Sequence, residues 1–280
     1  MHESEYYLSA KRNGKDTVFG DLFNIPRYVA QLVNDLHKGL NITENEIRSV
    51  TLQPILLNQP YNYLSVLVRD RLMIFVEAQS TWSLNVLIRF LIYLALSYGE
   101  YIKVNKLNVY GTKALTLPTP EFYVIYTGDK KNCPAELSLA KEFFGKKAAV
   151  DLTAHIIADD TDRGIAGQYR RFCKVFNEQV KVHGYTKKAI TETLRICRDE
   201  NVLTEYLKDR EKEVITAMTM LFDQEYAVNA YAREREVKTA VEFCQDLGQS
   251  FAVTVKKVAE KFKLPLDVAE KNVQSYWVYE

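Results

Sequence analysis

Glu77 and Gln79 stand two residues apart at the end of an apolar run, Leu72-Met73-Ile74-Phe75-Val76-Glu77-Ala78-Gln79. Alternate residues of a strand share a face, so a carboxylate and a carboxamide point the same way there. A second β-rich run, Tyr61-Asn62-Tyr63-Leu64-Ser65-Val66-Leu67-Val68, precedes it, and the polar break Arg69-Asp70-Arg71 lies between the two. A hairpin centred on Asp70 sets position 63 against position 77, each seven residues from the turn. Side chains paired in this way lie about 4.5–5.5 Å apart at Cβ. Two carboxylates at the mouth of such a hairpin would hold a divalent cation through hard oxygen ligands. Position 63 is a tyrosine, and a phenol with an ordinary pKa near 10 is a poor ligand for Mg²⁺ at neutral pH. Asn62 does not replace it, because neighbouring strand residues face opposite sides.

Positioning these groups takes a sheet and a helix. Val86 to Leu96 is apolar except for Arg89. It is too short to cross about 30 Å of hydrocarbon and reads as a buried helix from about Leu84 to Glu100, after the polar junction Ser80–Asn85. An unpaired charge on a buried helix is costly. Arg89 is therefore expected to be held by a carboxylate or by backbone carbonyls, with a phosphate contact as the alternative. Before the hairpin, Asp16 to His37 carries apolar residues at helical spacing and is interrupted at Pro26, which breaks or kinks a helix. Ile47 to Leu57 is expected to contain a first short strand, centred on Val50 to Leu52. After the buried helix, Glu121 to Tyr126 is a strand stopped by Thr127-Gly128, and another lies around Val150-Asp151-Leu152-Thr153. The fold class expected is α+β, a mixed sheet with a helix packed between its strands. From Gly164 to Ser275 the chain reads as helices, with breaks at Val180–Tyr185 and Leu247-Gly248. It closes with a short helix, a turn at Leu264-Pro265-Leu266-Asp267 and a second helix for which Asp267 is the expected N-cap.

Composition excludes several classes. A net charge of +1 on 280 residues means that any nucleic-acid surface is a local patch. Cys133, Cys173, Cys197 and Cys244 are far apart and form no C-x-x-C pair, which argues against a zinc site and for reduced core thiols. The acidic, polar start Met1-His2-Glu3-Ser4-Glu5 is unlike a signal peptide. The expected location is cytoplasmic, with no membrane partner. No phosphate-cradling G-x-x-x-x-G-K-[ST] or nucleophile-elbow G-x-S-x-G pattern occurs.

A set of segments carries a resemblance. They are Asp16-Thr17-Val18-Phe19 with Leu22-Phe23, Pro60-Tyr61-Asn62, Val76-Glu77-Ala78-Gln79-Ser80-Thr81, Asn85, Arg89-Phe90-Leu91 with Tyr93-Leu94, and Pro120-Glu121-Phe122-Tyr123-Val124 with Tyr126 and Gly128. In this order and spacing the chain resembles the PD-(D/E)XK nuclease superfamily, in its branch of recombination-promoting nucleases and transposase-related proteins. The resemblance implies a restriction-endonuclease-like αβββαβ core over residues 1–160, followed by a helical C-terminal region over 161–280. It implies Mg²⁺-dependent hydrolysis of DNA phosphodiesters, with DNA as partner. It places catalytic groups at Asp16, Glu77 and Gln79, and metal ligands at Glu77, the carbonyl near Ala78 and Asp16. The chain departs from the family pattern at Tyr63, where the family has its central metal-binding aspartate, and at Gly20, often a lysine.

Three functions follow as expectations. The first is a Mg²⁺-dependent endodeoxyribonuclease in which Gln79 orients the water. The second is a degenerate member that binds DNA without cutting it, as Tyr63 suggests. The third is an interaction protein that forms a homodimer through its helical tail. Basic clusters at Lys103 and Lys106, Lys146-Lys147, Arg170-Arg171 with Lys174, and Lys256-Lys257 with Lys261 and Lys263 are the places where a DNA backbone would be tracked.

Overall fold

Pro26 divides the opening helical stretch in two: α1 is Gly14–Leu22 and α2 is Pro26–Leu36, with the proline in the first turn, where its missing N–H costs nothing. This comes from a computed structural model that describes residues 14–49, 63–145, 147–159 and 164–278, with side chains except at 14 and 223–230. A strand occurs at Ile47–Ser49, within the expected Ile47–Leu57 stretch; its expected centre at Val50–Leu52, the Pro60-Tyr61-Asn62 motif and Lys146 lie outside the described residues.

The strands are β1 (Ile47–Ser49), β2 (Tyr63–Val68), β3 (Leu72–Gln79), β4 (Thr119–Tyr126), β5 (Glu136–Ser138) and β6 (Thr153–Ile157). They form one mixed sheet in the order β1-β2-β3-β4-β6-β5. β1, β2 and β3 are antiparallel neighbours, whereas β4 runs parallel to β3 and β6 parallel to β4. The crossover from β3 to β4 is α3, Val86–Val104, as a parallel connection requires. The order α, three antiparallel strands, α, β is the αβββαβ arrangement expected for the core.

The turn between β2 and β3 is held from outside. Arg69 and Asp70 both adopt positive φ, 49° and 54°, and the Arg71 N–H donates to the Val68 carbonyl at 3.0 Å. Left-handed backbone is unfavourable for an arginine, but tertiary bonds offset the cost. The Arg69 N–H donates to the Glu46 carbonyl at 3.0 Å and its Nε to Glu46 Oε1 at 2.6 Å. Arg48 pairs with Asp70 across the same end of the sheet. A one-residue slip would turn every side chain of β3 to the other face, so these clamps protect the pairing Tyr63↔Glu77.

β3 is buried on both faces. On one, Met73 and Phe75 pack with Phe90 of α3 and Phe122 of β4. On the other, Ile74 and Val76 lie beside Glu121 and Tyr123 of β4, and the Tyr123 hydroxyl stands 3.5 Å from His37 Nε2 just past α2. Two elements escaped the sequence pattern: β5 and the short helix α4, Leu139–Phe144. They displace the last strand. Asp151 was expected within it, but its carboxylate accepts from Ser138 Oγ at 3.0 Å and from the Ala140 N–H at 2.9 Å. It thereby fixes the start of α4, and pairing begins only at Thr153.

The helical region comprises α5 (Ile165–His183), α6 (Lys187–Asp199), α7 (Thr204–Asp246), α8 (Phe251–Phe262) and α9 (Leu266–Tyr276). Pro265 is the N-cap of α9, and Asp267 falls in its first turn rather than at the expected cap. The chain separates into two compact units. One is Arg12–Leu221, containing the sheet with α5 and α6; the other includes Phe222–Glu280. In the first, the Ile165 N–H donates to Asp35 at 2.7 Å, and Tyr206 and Arg210 of α7 bond Asp21 of α1 at 2.8 and 2.7 Å. In the second, Val237 and Val241 pack with Val258 of α8 and Ala269 and Val273 of α9. Among the described residues, no helix is long and apolar enough to cross a membrane.

Candidate functional site

Tyr63, Glu77 and Gln79 share one face of the sheet, and α3 lays Arg89 across it. Arg89, Tyr93 and Ser97 recur at i, i+4, i+8 and therefore follow one helix stripe. The Arg89 guanidinium takes the Glu77 carboxylate at two points: Nε donates to Oε2 at 3.0 Å and an Nη donates to Oε1. The same Nη donates to Gln79 Oε1 at 3.1 Å. The Gln79 carboxamide then donates through Nε2 to the Ser83 carbonyl at 3.2 Å, tying the strand end to the loop before α3. Glu77 is 3% exposed and the Arg89 side chain 27%. Of the two holders expected for Arg89, a carboxylate or backbone carbonyls, the structure shows a carboxylate.

Tyr63 seals the other side. Its ring lies 4.1 Å from that of Tyr93 and 6.4 Å from that of Phe75. Its hydroxyl is buried beside those of Ser65 and Ser97, and none of the three has a hydrogen bond of ordinary length. Burial pushes the phenol's pKa above its ordinary value, and the nearby Tyr93 and Glu77 add to the rise. Burial raises Tyr93 as well, to about 12, with the Glu77 charge contributing. Both rings are neutral at any physiological pH. Burial also pushes the Glu77 carboxyl upward, while Arg89 pulls it back.

A second cluster borders this one at the ends of β3 and β4. Trp82 packs edge-on against Tyr126, with ring centroids 5.3 Å apart, and Lys130 Nζ sits 3.6 Å above the indole. Trp82 thus packs between the end of β4 and the loop that follows it. Gly128 is required here: a Cβ would lie 2.1 Å from the Ser80 carbonyl oxygen and 2.4 Å from Tyr126 Oη.

The other expected site residue, Asp16, belongs to a different layer. It is half-buried on α1, where its charge acts on Tyr169 and Cys173 of α5. Neighbouring bonds join those helices: Tyr169 Oη donates to the Lys15 carbonyl at 3.1 Å, and Lys15 Nζ to Asn177 Oδ1 at 3.0 Å. The charge that acts on Glu77 is that of Arg89. Ala78 is buried between Glu77 and Gln79 and turns its side chain to the opposite face. Three of the four cysteines are buried and free; Cys133 is half-exposed rather than in the core. Of the basic clusters, Arg170 turns inward, its Nε 2.6 Å from the Tyr126 carbonyl oxygen, and Arg171 is engaged at two points by Glu200.

These donors do not fit Mg²⁺. The ion takes several hard oxygens in near-octahedral geometry. Here one carboxylate faces the site and is occupied by a guanidinium, the phenol is held neutral, and the Gln79 amide oxygen is bonded to the same Arg89. Among the described residues, no group of three or more His, Cys, Asp and Glu side chains stands together to hold a metal. Sequence reasoning identified Arg89, Glu77 and Gln79 but not their mutual bonding, nor Tyr93, Ser65 and Ser97. The one available signal was the stripe of polar residues at i, i+4, i+8 on an otherwise apolar helix.

No protein-family model, curated protein or solved structure matches the chain.

Proposed function

We propose that this chain is a nuclease-type fold whose hydrolytic centre is closed by an internal ion pair, and that it acts by binding DNA without cutting it. The observation that carries the reading is the two-point Arg89–Glu77 pair, roofed by Tyr63 where a second carboxylate would be needed. A guanidinium balances the carboxylate's charge as a cation would, but it offers no coordination site for a water and no Lewis acidity toward a phosphate. The αβββαβ order and the segments around Glu77, Arg89 and Tyr123 support the nuclease ancestry. The mechanism of such a protein is therefore one of shape and charge. The Arg89–Glu77–Gln79–Ser83 chain of bonds fixes the hairpin mouth to α3, and exposed lysines engage phosphates.

The test is a comparison of wild type and Glu77→Gln on supercoiled plasmid. Both are expected to retard the plasmid in low salt and to leave it intact in excess Mg²⁺. Mg²⁺-dependent cleavage by wild type that Glu77→Gln abolishes would overturn the closed-centre reading. Failure of wild type to bind DNA at any salt concentration would overturn the binding half.

A further inference from the structure

One of the basic clusters lies in the Phe222–Glu280 unit. Helix α8, Phe-Ala-Val-Thr-Val-Lys-Lys-Val-Ala-Glu-Lys-Phe, buries Thr254, Val255, Val258 and Ala259. Its opposite side exposes Lys256, Lys257 and Lys261, and Lys263 follows at the C-cap with φ 52°. At 100° per residue, positions 256, 257 and 261 fall at about 0°, 100° and 140°, one broad face about 8 Å long. Arg233 of α7 adds a fifth cation, its Nη2 donating to the Phe262 carbonyl at 3.2 Å. One acid, Glu260, interrupts the face.

The density of these lysines sets them apart: four fall within eight residues. Along α5 to α7 the exposed arginines are largely neutralised: Arg171 by Glu200, Arg195 by Glu192 and Asp199, Arg198 by Glu211, Arg210 by Asp21. Among the described residues, Lys256, Lys257, Lys261 and Lys263 have no ion pair, although Glu242, Asp246, Asp267 and Glu270 are in the same unit. Four unpaired like charges within eight residues repel one another, a cost that a polyanion relieves.

We infer that the Lys256–Lys263 face of α8 is the surface that takes the phosphate backbone of duplex DNA, without reading its sequence. This rests on the DNA-binding reading above and gives it a location. Nucleic acid is favoured over an anionic membrane because Val255, Val258 and Ala259 of α8 are spent on the unit's core, leaving Val253 as the one large apolar side chain the helix exposes. A helix that lies in a lipid interface needs its apolar face free to insert. Sequence-specific entry of α9 into a groove is disfavoured by its first turn, where Asp267 would meet a phosphate. Four lysine–phosphate contacts give a slope of log affinity against log salt of about −3.6, or roughly 100-fold weaker binding between 50 and 200 mM salt.

The experiment uses the full chain and a fluorescent duplex of mixed sequence, with binding followed by anisotropy across a salt series. The variant K256Q/K257Q/K261Q/K263Q is expected to lose most of the salt slope, a change of about 3–4. K256R/K257R/K261R/K263R, which keeps the charge, is expected to bind as wild type and controls for folding. A glutamine variant with the wild-type slope overturns the location while leaving DNA binding intact. Wild type that binds no DNA overturns both readings. Wild type that binds phosphatidylserine vesicles but not duplex overturns the choice of partner.

Discussion

Removing Arg89 tests how the site is held. Arg89→Met keeps the aliphatic stem but takes away both bonds to Glu77 and the bond to Gln79. Breaking a fully buried pair costs about 3–5 kcal/mol, chiefly through the charge left behind. Glu77 is 3% exposed but Arg89 is 27% exposed, so solvent already screens part of the attraction and about 2–3 kcal/mol is the expected loss. Replacing both residues, Glu77→Met with Arg89→Met, leaves no orphaned charge and is expected to fall within about 1 kcal/mol of wild type. The coupling in the double-mutant cycle is then about 2 kcal/mol or more. The pH dependence has a definite sign. In Arg89→Met the buried Glu77 carboxyl has a pKa above its unfolded value, because burial raises it and the guanidinium no longer opposes that. The folded state then binds the extra proton, so the variant is most stable below the ordinary carboxylate pKa and weakens as pH rises through the folded value. The assay is urea unfolding at acid and neutral pH. The chain has two tryptophans, Trp82 in the sheet unit and Trp277 in the other, and Trp277→Phe leaves Trp82 as reporter for the sheet. A loss below about 0.5 kcal/mol for Arg89→Met, or additive single mutants, would refute the argument.

Two further outcomes follow from the elements that set the register. Gly128→Ala forces a Cβ against the Ser80 carbonyl; a cost of about 2–3 kcal/mol is expected, read as a lower urea midpoint for the same Trp82 signal. Glu46, bonded first by Arg69 and then by Thr43, has its pKa lowered to about 2. Its stabilisation is thus present above the ordinary carboxylate value and lost as pH falls toward 2. Glu46→Gln should flatten the stability change between pH 5 and 2, and a wild-type-like acid profile would contradict the clamp on the turn.

The hairpin, the buried helix and the β4 strand were legible because runs of β-forming residues, a charged turn and an apolar run each leave a mark in sequence. Three-residue β5 and six-residue α4 are too short to show a period, and Asp151 was misplaced because a side-chain bond to Ala140 outweighed the β-propensity of its neighbours. The division near Leu221 falls inside an unbroken helical pattern on α7, where no composition shift marks it. Tyr63 was legible as an anomaly, and its meaning was not: its burial against Tyr93 depends on the packing of α3. Likewise, Arg89 was expected to be held by a carboxylate or by backbone carbonyls, but only the crossover of α3 over the sheet selects the carboxylate of Glu77.

The most direct measurement is a titration of Mn²⁺ with the wild-type chain, followed by the electron paramagnetic resonance of the free aqua ion. If the guanidinium of Arg89 stands in for a cation at Glu77, equimolar protein leaves the free-ion signal unchanged. A signal that falls to saturation at one ion per chain, and recovers in Glu77→Gln, would show an open metal centre and contradict the account.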